Sequence, residues 1–189
     1  MPRLRLAIIL LAALAGCASA PPTLVALPPA PAGSGEPDPG ATVLVREVAL
    51  PGYLDSFPVV LGRNGGTLAV SRDAEWAERP SLGVSRVLVD ALSQRLGASR
   101  VLIAGDGRIP DADLSVDFVA LDPEGASLHL DARWFFSCAA RNGSGGGRTQ
   151  LRVPLAAATP QAVAAATSDA LGRLADTLAA EVPCGGARS

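Results

Sequence analysis

Polar and apolar residues alternate along Asp113-Leu114-Ser115-Val116-Asp117-Phe118, and this pattern is the basis of the predicted fold. The same alternation returns at residues 128–136 and again at residues 150–155. Successive side chains of a strand point to opposite faces of a sheet, so each segment predicts a strand with one buried face. Three such strands in succession predict an antiparallel meander. Its turns are expected at residues 122–125 and at the glycine-rich residues 143–147.

Two further segments carry apolar residues at helical spacing and predict amphipathic helices. The first has Ser81 as its expected N-cap and Gly97 as its stop. The second opens at Thr159 and Pro160, which suit an N-cap and a first helical turn, and it ends before Pro183. The apolar stripes are Val84, Leu88, Leu92 and Leu96 in the first helix, and Val163, Thr167, Leu171, Leu174 and Leu178 in the second.

Shorter segments rich in β-branched residues complete the predicted architecture. Strands are expected at residues 42–50, 59–61, 67–71 and 100–104, and residues 63–66 predict a hairpin turn. Strands and helices that are separated along the chain are typical of an α+β fold. The predicted fold class is therefore α+β, with a single mostly antiparallel β-sheet and two amphipathic helices packed on one face.

Residues 1–16 have the features of a secretory signal peptide, namely a basic start, a short apolar run and small residues. The apolar run covers residues 6–14, fewer than the ~20 residues that a membrane-spanning helix needs. It ends in Leu14-Ala15-Gly16-Cys17, which resembles the bacterial lipobox. That resemblance implies that Cys17 is the lipid-attachment residue, with a diacylglycerol thioether and an acylated amine. The alternative is an ordinary signal peptide followed by a chance cysteine.

A proline-rich stretch follows the lipobox. Seven prolines lie between residues 18 and 40, mixed with Gly and Ser, and this composition offers little apolar surface to bury. We therefore expect residues 17–40 to be the lipidated cysteine and its tether, and residues 41–189 to be the folded domain. Because Ala18 rather than Asp follows Cys17, the lipoprotein sorting rule implies the periplasmic face of the outer membrane.

Composition and charge exclude several classes of function. The chain has 16 basic residues, all of them arginine, and 18 acidic residues, so no basic stripe is available for nucleic acid. Besides Cys17 there are Cys138 and Cys184, which in an oxidising periplasm predict a disulfide, the alternative being two separate thiols. The sequence contains no Cys-x-x-Cys pair, no serine elbow and no phosphate-binding loop with a lysine.

Few polar residues qualify as candidates for chemistry. His129 is the only histidine and is expected to be a solvated residue on the polar face of its strand. Asp111, Asp113 and Asp117 have no Glu or His beside them, so neither a metal site nor a cofactor is predicted. No group of residues supplies a nucleophile, a base and an orienting partner together, and no catalytic residue is expected.

Three aromatic residues are the candidates for a partner interface. Tyr53 lies in a predicted turn, Trp76 lies among acidic residues, and Phe135 falls on the polar side of its strand. Amphipathic aromatic side chains are enriched at protein–protein interfaces. The alternative for Tyr53 and Trp76 is packing at the edge of the core.

Four short segments of the chain form a recognisable set. They are Leu50-Pro51-Gly52-Tyr53-Leu54-Asp55, Val59-Val60, Trp76-Ala77-Glu78 and Arg86-Val87-Leu88. Together they resemble the ABC-type transport auxiliary lipoprotein family, which includes paraquat-inducible protein C. The most specific parts are the Tyr-Leu-Asp segment and the spacing between the last two segments. One departure is Arg79, which stands where the family commonly has proline, directly after Trp-Ala-Glu.

The resemblance implies an outer-membrane lipoprotein subunit of an ABC/MCE-type system that transports lipid between membranes and supports envelope integrity. The implied partners are an MCE-domain protein anchored in the inner membrane and, indirectly, the ABC permease and ATPase. Family members can assemble as ring-like homo-oligomers. The protein would then be a non-catalytic adaptor.

A second hypothesis is an envelope lipoprotein that itself binds and carries a lipid or glycolipid. This hypothesis requires an apolar pocket in each monomer. An enzyme is a distant third.

Overall fold

The computed structural model describes residues 20–33, 40–138 and 144–182. The signal peptide, Cys17, Gly143 and Cys184 lie outside the described residues, and the expectations for them stay predictions. The strands are β1 (Thr23–Val25), β2 (Val43–Ala49), β3 (Pro58–Asn64), β4 (Thr67–Trp76), β5 (Val101–Leu102), β6 (Ala112–Glu124), β7 (Ser127–Cys138) and β8 (Ser144–Pro154). The helices are α1 (Pro80–Leu96) and α2 (Pro160–Ala180).

The predicted single, mostly antiparallel sheet is wrong. The described strands form a small sheet in the order β1-β4-β3 and a large sheet in the order β5-β2-β6-β7-β8. Strand β2 runs parallel to both of its neighbours, and β1 runs parallel to β4. Between β2 and its partner strands β5 and β6, the chain forms the β3–β4 hairpin and helix α1. This long connection allows the strands to pair in parallel. Alternation identifies a strand but does not identify its partner.

The predicted meander is present as β6, β7 and β8, which pair antiparallel. Its glycine-rich turn is misplaced, because the described glycines of the run lie inside β8. A Cβ atom added to Gly147 would lie 2.5 Å from a ring carbon of Trp134. One added to Gly146 would lie 2.9 Å from the carbonyl oxygen of Trp134 and 3.1 Å from the ring of Phe135. The glycines therefore leave room for the aromatic side chains of β7.

Both helices form with the predicted apolar stripes buried. They cover one face of the large sheet, α1 next to β2 and β5, and α2 next to β7 and β8. The N-cap of α1 is Arg79 rather than Ser81, because Pro80 occupies the first helical position and the helix therefore starts two residues earlier than predicted. Thr159 caps α2 as expected, with its hydroxyl accepting a hydrogen bond from the Ala162 amide at 3.3 Å.

The structure differs from the predicted tether over residues 20–33, which pack on the domain. Strand β1 pairs with β4, and residues 26–33, here called the strap, then run between the two helices. Leu27 and Ala30 of the strap are buried in the core, and Ser168 of α2 donates a hydrogen bond to the Pro28 carbonyl oxygen at 2.7 Å.

Small residues on the helices make room for the strap. A Cβ atom on Gly83 of α1 would lie 3.3 Å from a methyl carbon of Leu27, and one on Gly172 of α2 would lie 3.3 Å from Pro31. Further along, the strap reaches Gly33, which lies against the side chain of Arg95. Residues 20–33 of the expected tether are thus part of the folded domain.

Candidate functional site

A buried carboxylate connects the turn after β2, the small sheet and the large sheet. Asp122 of β6 is 2% exposed and accepts a hydrogen bond from the Tyr53 hydroxyl at 3.0 Å. The Arg63 guanidinium of β3 lies 3.0 Å from the same oxygen and 4.7 Å from the centre of the Tyr53 ring. Burial raises the pKa of Asp122, and burial together with the Asp122 charge raises the pKa of Tyr53 to about 12. We name Tyr53, Arg63 and Asp122 the latch.

Asp55, two residues after Tyr53, provides a hydrogen-bond acceptor for a free backbone amide in the first turn of helix α1. Its carboxylate accepts a hydrogen bond from the Ser81 amide at 2.9 Å and pairs with Arg79 at 3.2 Å. Burial alone would raise the pKa of Asp55, but these hydrogen bonds lower it. Leu54 between them is buried in the core. The Tyr-Leu-Asp segment therefore positions helix α1 against the sheets.

The Trp76-Ala77-Glu78 segment completes this junction. The amides of Trp76 and Ala77 donate hydrogen bonds to the carbonyl oxygens of Phe57 at 2.7 Å and Val25 at 2.8 Å. Glu78 pairs with Arg86 on the first turns of α1. Tyr53 and Trp76 are both half-buried and lie at this junction, so their observed contacts are internal to the fold.

The apolar cavity at the junction is small. It is lined by Leu27, Trp76, Val84, Leu121 and Val163, among others, and its volume is about 30 Å³. Pockets that enclose small-molecule ligands usually measure roughly 300–1,000 Å³. This cavity has room for a water molecule or two but not for an acyl chain.

The outer face of the large sheet carries two adjoining grooves that share Glu47 and Ser115. Their volumes are about 380 Å³ and 480 Å³, and both are open to solvent. Phe135 lines the first groove and is 50% exposed. We name this surface the sheet groove.

Unpaired charges line the same groove. Glu47, Asp117 and Arg133 form no ion pair with another residue in the described part of the chain. An exposed aromatic ring beside exposed charges of both signs is suited to a protein partner with complementary charges.

The remaining polar candidates have structural surroundings. Asp111 accepts hydrogen bonds from the Thr42 amide at 2.8 Å and hydroxyl at 2.9 Å, and Asp113 pairs with Arg46 at 2.9 Å. Among residues 20–33, 40–138 and 144–182, no three His, Cys, Asp or Glu side chains come together as metal ligands. His129 is half-buried on β7.

Cys138 ends β7 and is disulfide-bonded. Its predicted partner Cys184 lies outside the described residues, so the pairing stays a prediction. The topology is compatible with it, because α2 starts after the end of β8 and runs back toward the end of the sheet where β7 finishes. Cys184 follows the last residue of α2 by four positions.

A family model for the ABC-type transport auxiliary lipoprotein component matches residues 23–179, which is most of the chain. The chain belongs to this family. The match begins at the first residue of β1 and so includes the strap. Membership means a lipoprotein that is anchored to a membrane of the cell envelope and serves an ABC-type transport system.

Two solved structures share the fold of this auxiliary lipoprotein. One, described as an uncharacterized protein, is 16% identical, with a TM-score of 0.69 over 86% of this chain and 99% of that chain. The other is protein XCC0632 from Xanthomonas campestris, of the family model DUF330, which is 19% identical, with a TM-score of 0.66 over 83% and 92% of the two chains. No curated protein matches the sequence.

The strap and the charges that line the sheet groove were not predicted from the sequence. The β-branched Thr23 and Val25 around Leu24 were a signal for a short strand, but the prolines on either side obscured it. Glu47 follows a register shift in the pairing of β2 with β6, and no sequence pattern announces such a bulge. In the described part of this auxiliary lipoprotein, every helix is too short or too polar to cross a bilayer.

Proposed function

We propose that this auxiliary lipoprotein is a non-catalytic adaptor, anchored through Cys17 to the periplasmic face of the outer membrane. It docks an MCE-domain protein that is anchored in the inner membrane, and thereby serves the ABC permease and ATPase of a lipid-transport system that supports envelope integrity. Family membership supports the transport role. The lipobox supports the anchor.

The observation that carries the adaptor role is the size of the apolar cavity. A protein that carries lipid in each monomer must shield at least one acyl chain from water, since each exposed methylene costs about 0.8 kcal/mol. The cavity of about 30 Å³ between the small sheet and the helices cannot do this. The larger spaces on the described surface are open grooves with a mixed polar and apolar lining. None of these three spaces encloses the apolar pocket that the carrier hypothesis requires.

The described polar clusters also argue for a protein without chemistry of its own. The latch consists of a tyrosine, a carboxylate and an arginine that bind one another, and burial raises the pKa of Tyr53 to about 12, further from neutral pH than its ordinary value. These residues stabilise the fold and present no nucleophile to a substrate.

Anchoring would act through local concentration. A lipid anchor confines the domain to one membrane surface, so a partner that spans the periplasm meets it at a raised effective concentration without any additional contact. Three acyl chains hold firmly, whereas one chain gives only marginal binding.

We assign partner docking to the sheet groove, because it combines an exposed aromatic ring with unpaired charges of both signs. Tyr53 and Trp76, the other two interface candidates, are engaged within the fold. Buried aromatic side chains at the centre of an interface commonly contribute most of its binding energy.

The test replaces Phe135 with Asp and measures co-purification of the MCE-domain protein after cross-linking in cells. Ile109→Asp is the matched control, because Ile109 is 89% exposed and is not part of the groove. We expect Phe135→Asp to reduce the recovered partner about tenfold or more, and Ile109→Asp to leave it unchanged. Full recovery with Phe135→Asp would show that the partner binds elsewhere.

A second variant tests the anchor separately. Cys17→Ser removes the lipidated thiol, so we expect the protein to leave the membrane fraction and to fail to complement a deletion strain. If Cys17→Ser complements fully, anchoring has no role and the proposed mechanism is wrong.

A further inference from the structure

The negative charges of the sheet groove lie on two neighbouring strands. Glu47 is on β2 and Asp117 is on β6, and both side chains are exposed. Neither forms an ion pair within the described residues. Arg46, which also lines the groove, pairs with Asp113 at 2.9 Å and therefore adds no net charge there. The β2 and β6 side of the groove is negative as a result.

The next two strands carry positive charge on the same face. Arg133 of β7 lies directly opposite Arg148 of β8, so two arginines are neighbours across the sheet. Arg148 binds the Asp131 carboxylate through its Nε atom at 2.7 Å, whereas the exposed Arg133 has no ion pair in the described part of the chain. Like charges directly opposite each other destabilise a sheet. A contact outside the fold would account for an arginine at position 133.

Phe135 lies where the negative and positive sides of the groove meet. It pairs with Ser115 on one flank and with Gly146 on the other, and neither neighbour has a side chain large enough to cover the ring. The ring is 50% exposed. Neighbouring strands are about 4.8 Å apart, so Glu47 and Arg133, on strands separated by β6, lie about 10 Å apart across the sheet. The groove therefore presents acid, aromatic ring and base in a fixed order.

We infer that the sheet groove binds its partner in one orientation only. A basic group of the partner lies over β2 and β6, an apolar group lies on Phe135, and an acidic group lies over β7 and β8. This inference rests on the proposed docking role of the groove and deepens it, because it assigns the chemistry of the partner surface. The reversed orientation would place a base over Arg133 and an acid over Glu47 and Asp117, and like charges across an interface disfavour binding.

The shape and charge of the groove favour a protein of a different kind over the other occupants. A second copy of the chain would present another groove, and two facing grooves of about 380 Å³ and 480 Å³ each would leave space unfilled in the interface. An anionic phospholipid surface carries charge of one sign, so the β2 and β6 side would repel it. A convex protein surface with charges of both signs fills the groove and matches its order.

The experiment measures binding of the purified periplasmic part of the MCE-domain protein to the lipidated full chain in detergent. Asp117→Arg combined with Arg133→Asp exchanges the two charges but keeps the net charge and Phe135. Both residues are exposed, so we expect an unchanged urea midpoint. We expect the exchange to weaken binding about tenfold or more at low salt, chiefly through slower association, and the difference to shrink as added salt screens the charges.

The matched control exchanges two charges on the other side of the large sheet. Asp169 and Arg173 of α2 form an ion pair at 3.0 Å, and α2 packs on the face opposite the groove. Asp169→Arg combined with Arg173→Asp keeps the net charge, and we expect it to bind the partner as the parent does.

The outcomes separate this inference from the docking role itself. If the Asp117 and Arg133 exchange binds like the parent while Phe135→Asp does not, the ordered charges are overturned and the docking site stands. Parent-like binding by both variants overturns both, and a loss that is equal at low and high salt overturns the electrostatic order. Light scattering of the purified chain tests the second copy: a dimer that Phe135→Asp dissociates would assign the groove to another copy and overturn the inference.

Discussion

The two sheets present different surfaces to their surroundings. The small sheet exposes Leu24 and Val70 and carries the start of the folded chain in β1. The outer face of the large sheet is mostly polar, and its exposed ring, Phe135, lies in a groove with Glu47 and Arg133. The small sheet thus exposes apolar side chains on separate strands, whereas the sheet groove combines one exposed aromatic ring with charges of both signs.

This difference bears on the proposed adaptor role. An adaptor needs a docking surface apart from its anchor, and the sheet groove, which we propose for docking, lies on the large sheet, whereas the folded chain begins in β1 of the small sheet. The latch connects the sheets, because Arg63 of the small sheet and Asp122 of the large sheet form an ion pair at 3.0 Å. Each of the following predictions tests one sheet or the connection between them.

The largest expected effect is on the small sheet. A chain that begins at Gly40 lacks β1 and the strap, and so loses the burial of Val25, Leu27 and Ala30. Burying a Val or Leu side chain contributes about 1.5–3 kcal/mol, so we expect the free energy of unfolding to fall by about 4 kcal/mol or more. Urea unfolding measures the change against a chain that begins at Ala20. Equal midpoints for the two chains would contradict the strap as part of the fold.

The next largest effect on stability is expected from a substitution in β8 of the large sheet. A Cβ atom on Gly147 would meet the Trp134 ring, which packs edge-on against Phe136 and donates a hydrogen bond to Thr149. Because the ring must move, we expect Gly147→Ala to lower the thermal midpoint and cost about 1–3 kcal/mol. Gly66→Ala is the control, since nothing lies within 4 Å of its added Cβ and no change beyond about 0.5 kcal/mol is expected. A Gly147→Ala protein as stable as the control would show that β8 tolerates side chains there.

An ion pair on the large sheet, between the buried Asp131 and the half-exposed Arg148, gives a pH-dependent effect. Asp131 accepts hydrogen bonds from Arg148 and Gln150, and the Arg148 bond chiefly lowers the pKa of Asp131 to about 2. A lowered folded-state pKa means stability that is complete above the unfolded value and is lost as the pH falls toward about 2. We expect Asp131→Asn to cost about 1–2 kcal/mol near neutral pH, and the difference from the parent to shrink as the pH falls toward that value.

Urea midpoints of the parent and the Asp131→Asn protein at several pH values measure this difference. A cost that does not change with pH would mean that the ion pair is not its source.

The smallest effect concerns the latch between the sheets. Tyr53 is the only tyrosine, so an ultraviolet titration reports on it alone. Burial and the Asp122 charge raise its pKa to about 12, and we expect the titration midpoint near that value rather than near the usual ~10. Because the folded pKa is raised, the contribution to stability is complete below ~10 and is lost as the pH rises through about 12.

Removing the Tyr53 hydroxyl tests the same contact at neutral pH. Tyr53→Phe deletes one hydrogen bond to Asp122 but leaves Arg63 in place, so we expect a cost of about 1 kcal/mol in urea unfolding. A titration midpoint near 10 together with an unchanged stability would show that the latch does not connect the sheets in solution.

Local patterns predicted the parts of the fold that local physics determines. Alternation identified β6 and β7, and helical spacing identified the buried stripes of α1 and α2, because burial on one face leaves a period in the sequence. The partners of β2 could not be read this way, since parallel pairing joins residues that are far apart in the chain. A single sheet was therefore predicted where two exist.

The strap shows a second limit. Proline-rich composition usually indicates a segment with little to bury, yet Leu27 and Ala30 are buried because the helices offer Gly83, Ser168 and Gly172 in front of them. The space between the helices that receives the strap forms only after both helices have packed. No property of the strap sequence alone therefore predicts its burial. Phe135, by contrast, was recognisable as exposed because it breaks the alternation of its own strand.

Mass spectrometry of the mature protein from membranes, under denaturing and then native conditions, tests in one sample whether a covalent lipid holds the protein and whether the protein also carries a lipid. We expect a chain that begins at Cys17 with covalent acyl groups, and no further lipid bound to each monomer. An unmodified amino terminus, or one lipid per monomer that dissociates on activation, would contradict the proposed anchored adaptor.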